Sequence, residues 1–358
     1  MGLFNGTSGR DTLLGGSSND TIYGRAGDDI LFGSAGDDFL FGEAGNDLLH
    51  GGAGFDRLLG GTGNDTIYVG IGDTSEHDIA FGEDGNDLFL VNDTNDIIVG
   101  GDGVDTVSYA NATAGVFVNL TGGNGARTDF TLGFNSVTTM LDSIENLIGS
   151  RFSDTLVGDS GANRLEGGDS NDTLLGNAGA YTLRGDAGND LMNGGEGNDD
   201  LSGGVGNDTL AGADGNDYLN GGSGCDSLGG GNGNDTLFGQ WEGDTLTGGA
   251  GADEFVFIAN DTGGPVPFTW GRITDFSHAQ GDKIRIGDFD DINYVGTGNL
   301  TGSGLTEVRI IASGGNTTVR IDADGNGSAD AETLAQAGWR QRTSSSRTGC
   351  ASGVGNFG

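Results

Sequence analysis

The most constraining feature of this sequence is an aspartate that recurs every nine residues, with an aliphatic side chain two positions after nearly every copy. One copy reads Gly42-Glu43-Ala44-Gly45-Asn46-Asp47, and Leu49 follows in phase. The first run comprises Asp11, Asp20, Asp29, Asp38, Asp47, Asp56 and Asp65. The second run occupies positions Asp154, Asn163, Asp172, Tyr181, Asp190, Asp199, Asp208, Asp217, Asp226, Asp235, Asp244 and Asp253. A looser group, Asp78, Asp87, Asp96 and Asp105, lies between the two runs after an insertion.

This spacing predicts tight turns and very short strands that stack on one another. Glycine accepts positive φ angles, so a glycine-rich hexapeptide can turn sharply and bring its carbonyl oxygens close together. The next three residues form a strand with one inward side chain, and stacking joins those side chains into an aliphatic column. Two nonapeptides make one coil, so aspartates eighteen residues apart, such as Asp29 and Asp47, face one another along one edge.

Aspartates stacked in this way are candidate metal ligands. Carboxylate and carbonyl oxygens are the hard ligands that Ca²⁺ prefers, and a flexible cage of them suits Ca²⁺ better than Mg²⁺. The ligands that we predict are Asp11, Asp20, Asp29, Asp38, Asp47, Asp56, Asp65, Asp87, Asp105, Asp154, Asp172, Asp190, Asp199, Asp208, Asp217, Asp226, Asp235, Asp244 and Asp253. Several departures from the pattern predict weaker sites: Tyr181 and Asn163 replace aspartates, and Glu242 replaces a glycine. Val91 and Thr94 replace glycines before Asp96, and the hexapeptide of Asp78 has no glycine.

The pattern Gly-Gly-x-Gly-x-Asp-x-(Leu/Ile)-x, seen at Gly60-Gly61-Thr62-Gly63-Asn64-Asp65 and onwards, resembles the RTX, or haemolysin-type, calcium-binding repeat. The resemblance covers about two-thirds of the chain. It implies an all-β fold, a right-handed parallel β-roll (β-solenoid) in two stacks, with Ca²⁺ between adjacent turns. The segments Ile273-Thr274-Asp275-Phe276 and Gly281-Asp282-Lys283-Ile284 resemble the C-terminal region of serralysin-type proteins, which implies a small β capping region.

The charge of the chain is consistent with bound cations. The sequence holds 53 acidic residues against 15 basic ones, which gives a formal net charge of −38 at pH 7. About 15 calcium ions, one between each good pair of aspartates on an edge, would supply roughly +30. Such acidity excludes nucleic acid as a partner, because nucleic-acid binding requires a basic face. No apolar run is long enough for a transmembrane segment.

The phase of the repeat predicts five segments. We expect a first RTX β-roll over residues 1–105, looser from residue 66, then a non-repeat connector over 106–150 and a second RTX β-roll over 151–253. A C-terminal β cap over 254–332 precedes a basic, Ser/Thr-rich tail over 333–358, which we expect to be disordered.

Two further features concern export and redox state. The opening residues lack the basic and apolar regions of a cleavable secretory signal. The two cysteines, Cys225 and Cys350, are too few for a disulfide framework, so we expect free thiols.

These features favour calcium-driven folding of a secreted structural or surface protein, located outside a Gram-negative bacterium. The resemblance implies export by type I secretion machinery, although the tail lacks the acidic residues usual in that signal. Two alternatives stay open. One is a non-catalytic part or companion of a secreted enzyme (protease, lipase or polysaccharide epimerase). The other is a calcium-dependent carbohydrate-binding or adhesive module with a cell-surface or polysaccharide partner.

We expect no enzymatic activity, because His50, His77 and His278 lie far apart and form no catalytic motif.

Overall fold

The structure is a computed structural model. It describes residues 1–70, 77–92, 96–121, 126–132, 135–241, 243–258, 272–277, 279–287, 292–296, 306–313, 316–322 and 331–335. The described part of the chain has no helix long and apolar enough to cross a membrane. Glu242, His278, Cys350 and most of the predicted tail lie outside the described residues. The chain forms two compact units, residues 1–187 and 188–358.

The first unit consists of two sheets, which we call the odd and even sheets. Strands of the odd sheet, in spatial order, are β1 (Leu3–Asn5), β3 (Thr21–Ala26), β5 (Phe39–Ala44), β7 (Arg57–Thr62), β9 (Ile79–Asp84), β11 (Ile97–Asp102), β15 (Asn135–Asp142), β14 (Ala126–Leu132), β13 (Phe117–Asn119), β17 (Thr155–Val157) and β19 (Thr173–Ala178). Strands of the even sheet are β2 (Thr12–Leu14), β4 (Ile30–Ala35), β6 (Leu48–Ala53), β8 (Thr66–Val69), β10 (Leu88–Val91), β12 (Thr106–Ser108), β16 (Asn146–Ile148), β18 (Arg164–Asp169) and β20 (Thr182–Ala187). The pairing of these strands is parallel, except that β14 runs antiparallel to β13 and β15.

The core is a column of inward side chains, one from each short strand. In the even sheet, Leu31 lies level with Leu13 on one side and Leu49 on the other. Leu31 and Leu49 have no exposed surface, and neither does Leu40 in the odd sheet. Full burial of such a side chain contributes about 1.5–3 kcal/mol. No single coil could form a core alone, so the coils stabilise one another by stacking.

Turns between the strands depend on glycine where successive coils meet. Gly45 has a φ of +139°, and a Cβ there would collide with the carbonyl group of Gly27 one coil earlier. The insertion after Asp65 leaves the stacking intact, since Leu58 still pairs with Ala80. Extra residues are therefore accommodated without a change of register.

The second unit repeats the arrangement. Its odd sheet contains β21 (Leu191–Glu196), β23 (Thr209–Asp214), β25 (Ser227–Asn232), β27 (Thr245–Ala250) and β29 (Arg272–Ile273). Its even sheet contains β22 (Asp200–Val205), β24 (Tyr218–Ser223), β26 (Thr236–Trp241), β28 (Glu254–Ile258) and β30 (Lys283–Gly287). A separate four-stranded sheet has the order β31 (Ile292–Gly296), β32 (Thr306–Ser313), β33 (Asn316–Asp322) and β34 (Ala331–Ala335).

The predicted all-β fold of stacked parallel coils is confirmed in both units. The expectation of free thiols is wrong for Cys225, which is disulfide-bonded. The error arises because the number and spacing of cysteines in a sequence do not report their distance in space.

Candidate metal centre

The aspartates of the repeat form ladders along the edges of each unit, each residue standing directly before a strand. After the first member of a ladder, the Oδ1 atom of each aspartate accepts a hydrogen bond from the backbone N–H of the aspartate one coil earlier; Asp47 accepts the N–H of Asp29 at 2.7 Å in this way. In the first unit the ladders contain Asp11, Asp29, Asp47, Asp65, Asp87 and Asp105 on one edge, and Asp20, Asp38, Asp56, Asp78 and Asp96 on the other, with Asp154 bonded to Asp172 further along. In the second unit they contain Asp190, Asp208, Asp226 and Asp244, and Asp199, Asp217, Asp235 and Asp253.

The second carboxylate oxygen, Oδ2, is buried in most members of the ladders. It has no hydrogen-bond partner among the described residues in Asp29, Asp38, Asp47, Asp56, Asp65, Asp87, Asp96, Asp105, Asp208, Asp217, Asp235 and Asp253. Burial without a partner disfavours a charged carboxylate. It raises the pKa of Asp56 to about 8 and that of Asp65 to about 7, and neighbouring carboxylates in the ladder strengthen the effect. These rows of oxygens therefore require either protons or a cation.

Glycine at the first position of the hexapeptide makes room for these oxygens. A Cβ on Gly24 would lie 2.6 Å from Asp29 Oδ2 and 2.8 Å from the carbonyl oxygen of Gly42, one coil further on. The same two kinds of oxygen surround Gly203, namely Asp208 Oδ2 and the carbonyl oxygen of Gly221. Each glycine thus opens a cradle, by which we mean the space between a carboxylate and the carbonyl of the next coil.

The donor set fits a hard cation. Within the described residues, no three His, Cys, Asp or Glu side chains converge on one point. A cation held at the ladder would therefore take its remaining ligands from backbone carbonyls. An all-oxygen, partly carbonyl set of this kind suits Ca²⁺ and does not suit the softer transition metals.

Three of the predicted ligands differ from the others, because their carboxylates accept hydrogen bonds within their own turns. Asp11 Oδ2 accepts the N–H of Thr7 at 2.6 Å, and Asp20 Oδ2 accepts the N–H of Gly16 at 2.8 Å. Hydrogen bonds from Gly16 and Gly2 lower the pKa of Asp20. Asp154 Oδ2 accepts the N–H of Ser150 at 2.5 Å, and the Ser150 hydroxyl donates to the same carboxylate.

The position of Tyr181 is closed by its own side chain. Tyr181 is 2% exposed, and its hydroxyl donates to the carbonyl oxygen of Asp159 at 2.5 Å. Its ring lies beside Gly158, where a Cβ would be 2.5 Å from the ring. Asn163 Oδ1 accepts the N–H of Asp159 at 2.9 Å, so the amide also bonds within its own turn. The aromatic ring therefore fills the space at Gly158, between the Asn163 side chain and the carbonyl oxygen of Gly176, that stays open as a cradle in other coils.

Two aspartates omitted from the predicted ligands occupy ladder positions. Asp78 accepts the N–H of Asp56 at 2.8 Å, and Asp96 accepts that of Asp78 at 3.0 Å. Their hexapeptides lack the usual glycines, which is why the sequence pattern passes over them. Their place is set by strands β9 and β11, which keep register with the coils before them. Their spacing from Asp87 and Asp105 was the available signal.

Two further carboxylates extend the ladders beyond the predicted repeats. Asp105 donates its N–H to Glu145 Oε2 at 2.8 Å, and Asp253 donates its N–H to Asp282 Oδ1 at 3.2 Å. The signal for Glu145 is its phase, since it lies nine residues ahead of Asp154. The signal for Asp282 is the aliphatic Ile284 two positions later.

Comparison with known proteins gives two findings. The family model described as RTX calcium-binding nonapeptide repeat (4 copies) matches residues 5–40, 41–75, 74–107, 148–183, 182–210, 193–228, 202–237 and 221–255, more than half of the chain. A solved structure, a hyperactive, Ca²⁺-dependent, beta-helical antifreeze protein from an Antarctic bacterium, is similar at 17% identity and a TM-score of 0.31. That similarity covers 82% of this chain and 83% of the other. No curated protein matches the sequence.

Proposed function

Because this chain belongs to the family of RTX calcium-binding nonapeptide repeats, we propose that rows of Ca²⁺ along its ladders switch it from an unfolded to a folded state outside the cell. Calcium binding itself follows from family membership. The observation that supports the folding switch is the set of buried Oδ2 atoms that meet no donor within the described part of the chain, exemplified by Asp38, Asp47 and Asp56. A fold that buries so many carboxylates is unfavourable until their charge is compensated.

The residues that would hold the ions are the buried ladder aspartates together with the carbonyls beside their cradles. Asp29 Oδ2 with the Gly42 carbonyl is one such pair, and Asp208 Oδ2 with the Gly221 carbonyl is another. Calcium supplies two positive charges to each site. Asp11, Asp20 and Asp154 remain candidate ligands, but their carboxylates would first have to give up hydrogen bonds within their turns. We expect those sites to be weaker.

The number of ions has a consequence for stability. A site at ten times its dissociation constant contributes about 1.4 kcal/mol, so about 15 independent sites would contribute roughly 20 kcal/mol. That exceeds the 5–15 kcal/mol by which whole domains are typically stable. Calcium would therefore decide whether the protein folds at all. Extracellular calcium modules bind at roughly 10⁻⁴–10⁻³ M, which suits a chain that folds after export.

We propose that the folded protein acts outside the cell as a structural or surface protein. The same proposal includes its export through type I secretion machinery. The family resemblance supports this location. Export of a reporter fused to residues 254–358 tests the route, and a reporter retained in the cytoplasm would count against it.

The test of the folding switch is far-UV circular dichroism and sedimentation velocity in EDTA and across a calcium titration, with magnesium as the matched control. We expect an expanded, unstructured chain in EDTA, a cooperative gain of β-structure with calcium, and little effect of magnesium. Equilibrium dialysis gives the number of ions bound. A spectrum and sedimentation coefficient unchanged by EDTA would refute the proposal.

A further inference from the structure

Where the first run of repeats ends, the even sheet continues into a segment that the repeat family does not match. The family matches stop at residue 107 and resume at 148. Strand β16 nevertheless pairs in parallel with β12, so that Leu147 lies level with Val107 as repeat leucines do. Glu145 stands directly before β16, in the place that an aspartate occupies before each repeat strand. The connector therefore returns a carboxylate to the ladder.

The hydrogen bonds of Glu145 reproduce those of a ladder aspartate. Asp105 donates its N–H to Glu145 Oε2 at 2.8 Å, and Asp87 donates to Asp105 Oδ1 at the same distance. In return, the N–H of Asn146 donates to the carbonyl oxygen of Asp105 at 2.9 Å, as the N–H of Thr106 does to Asp87 at 2.8 Å. The junction is thus bonded like one more coil of the solenoid.

An oxygen cradle is present at the junction. A Cβ on Gly100 would run into Asp105 Oδ2 and the carbonyl oxygen of Ser143. In the preceding coil, a Cβ on Gly82 would meet Asp87 Oδ2 and the carbonyl oxygen of Gly100. Ser143 has a φ of +54°, the left-handed region that few non-glycine residues adopt. By its contact at Gly100, the Ser143 carbonyl takes the place that the Gly100 carbonyl has at Gly82.

One oxygen of the Asp105 carboxylate in this cradle has no hydrogen-bond donor among the described residues. Asp105 has no exposed surface, and its Oδ2 accepts no hydrogen bond from the residues that the structure describes. Two carboxylates and an inward carbonyl, with one buried oxygen unpartnered, make a hard-oxygen site that suits a divalent cation.

We propose that Asp105, Glu145 and the Ser143 carbonyl hold a calcium ion that fastens the connector to the first run of repeats, an inference that rests on the proposed calcium-binding function. The ion would lie outside the sites that the repeat pattern identifies. Its effect would be to make the order of residues 139–150 depend on calcium, although that segment contains no complete nonapeptide.

The test is hydrogen–deuterium exchange of the full-length protein over a calcium series, read in peptides covering residues 98–110 and 139–150. The variant is Glu145→Gln, because glutamine keeps an oxygen that can accept the Asp105 N–H and removes only the charge. Glu196→Gln is the matched control, since Glu196 is exposed in the second unit. Loss of a metal ligand should raise the calcium midpoint for protection of both peptides by at least about tenfold. The midpoint of peptides within residues 29–65 should stay unchanged.

Each outcome decides between the two proposals. If Glu145→Gln leaves the midpoint of the junction peptides at the wild-type value, Glu145 is only a hydrogen-bond acceptor and the junction site is refuted, while calcium-driven folding stands. If calcium protects no peptide of the wild-type protein, including those within residues 29–65, calcium-driven folding itself fails. Asp105→Asn gives a second reading of the same site, and it should raise the same local midpoint.

Discussion

Asparagine at position 56 tests the idea that buried carboxylates keep the metal-free chain unfolded. Asp56 has no exposed surface, its Oδ1 accepts the Asp38 N–H at 2.8 Å, and its Oδ2 meets no donor among the described residues. Asparagine has the same shape and retains an acceptor for that N–H. Asp56→Asn therefore removes a charge while leaving the packing nearly unchanged.

The size of the effect follows from the pKa of Asp56, which burial raises from 3.8 to about 8. At pH 7 the metal-free fold must protonate a group that the unfolded chain leaves ionised, at about 1.4 kcal/mol for each pH unit above 3.8. The upper bound is roughly 4 kcal/mol, which residual solvent screening reduces to about 2–4 kcal/mol. We expect Asp56→Asn to stabilise the metal-free fold by that amount.

With calcium the sign should reverse. The variant lacks a charged ligand, and a site filled at ten times its dissociation constant contributes about 1.4 kcal/mol that the variant would lose. The measurement is folding by trimethylamine N-oxide in EDTA, followed by circular dichroism, and urea unfolding in saturating calcium. Asp102→Asn is the control, because Asp102 is an exposed acid in the same unit and is not among the charges that raise the pKa of Asp56. If Asp56→Asn destabilised the protein equally with and without calcium, the reasoning would be refuted.

Three other predictions concern the pH dependence of stability, the cradle that Tyr181 fills and the cradles that stay open. The raised pKa values of Asp38 (about 6) and Asp56 (about 8) mean that the metal-free fold binds more protons than the unfolded chain above pH 3.8. Its stability should thus increase on acidification from about pH 8 to about pH 5 in EDTA, while calcium binding weakens, as circular dichroism and calorimetry would show. Tyr181→Asp should add one bound calcium in equilibrium dialysis, whereas Tyr181→Phe should leave the Asp159 carbonyl without its donor and cost about 1–3 kcal/mol in urea unfolding. Gly42→Ala should raise the calcium midpoint, because the new Cβ would enter a cradle; an unchanged midpoint would show that the cradles hold no ion.

Much of the fold was predictable because the repeat is local. A nine-residue period with Leu31 and Leu49 in phase is enough to predict inward columns, and both residues are fully buried. Family membership and the all-β solenoid are confirmed on the same pattern. The sequence also predicts that Tyr181 interrupts a ladder, and its buried side chain does occupy a cradle. The role of each predicted aspartate as a calcium ligand stays a prediction.

What the pattern could not show is how each carboxylate is used. Asp20 and Asp38 have the same place in the repeat, but Asp20 accepts the N–H of Gly16 in its own turn and Asp38 keeps a buried oxygen without a described partner. The two turns differ in backbone conformation, since Ser34 in the Asp38 hexapeptide has a φ of +86° and Gly16, at the matching position before Asp20, has no positive φ. The nonapeptide pattern does not distinguish the two turns.

The sequence by itself determined the solenoid, the aliphatic columns and the acidic character of the edges, because each depends on residues a fixed number of positions apart. Tertiary structure alone decided that Glu145 continues the ladder whose last aspartate, Asp105, lies forty residues earlier. The connector between them has no repeat phase, so only the parallel pairing of β16 with β12 brings the two carboxylates together. The long-range contact creates the oxygen cradle at Gly100, and periodicity cannot reveal a contact formed across a break in the period.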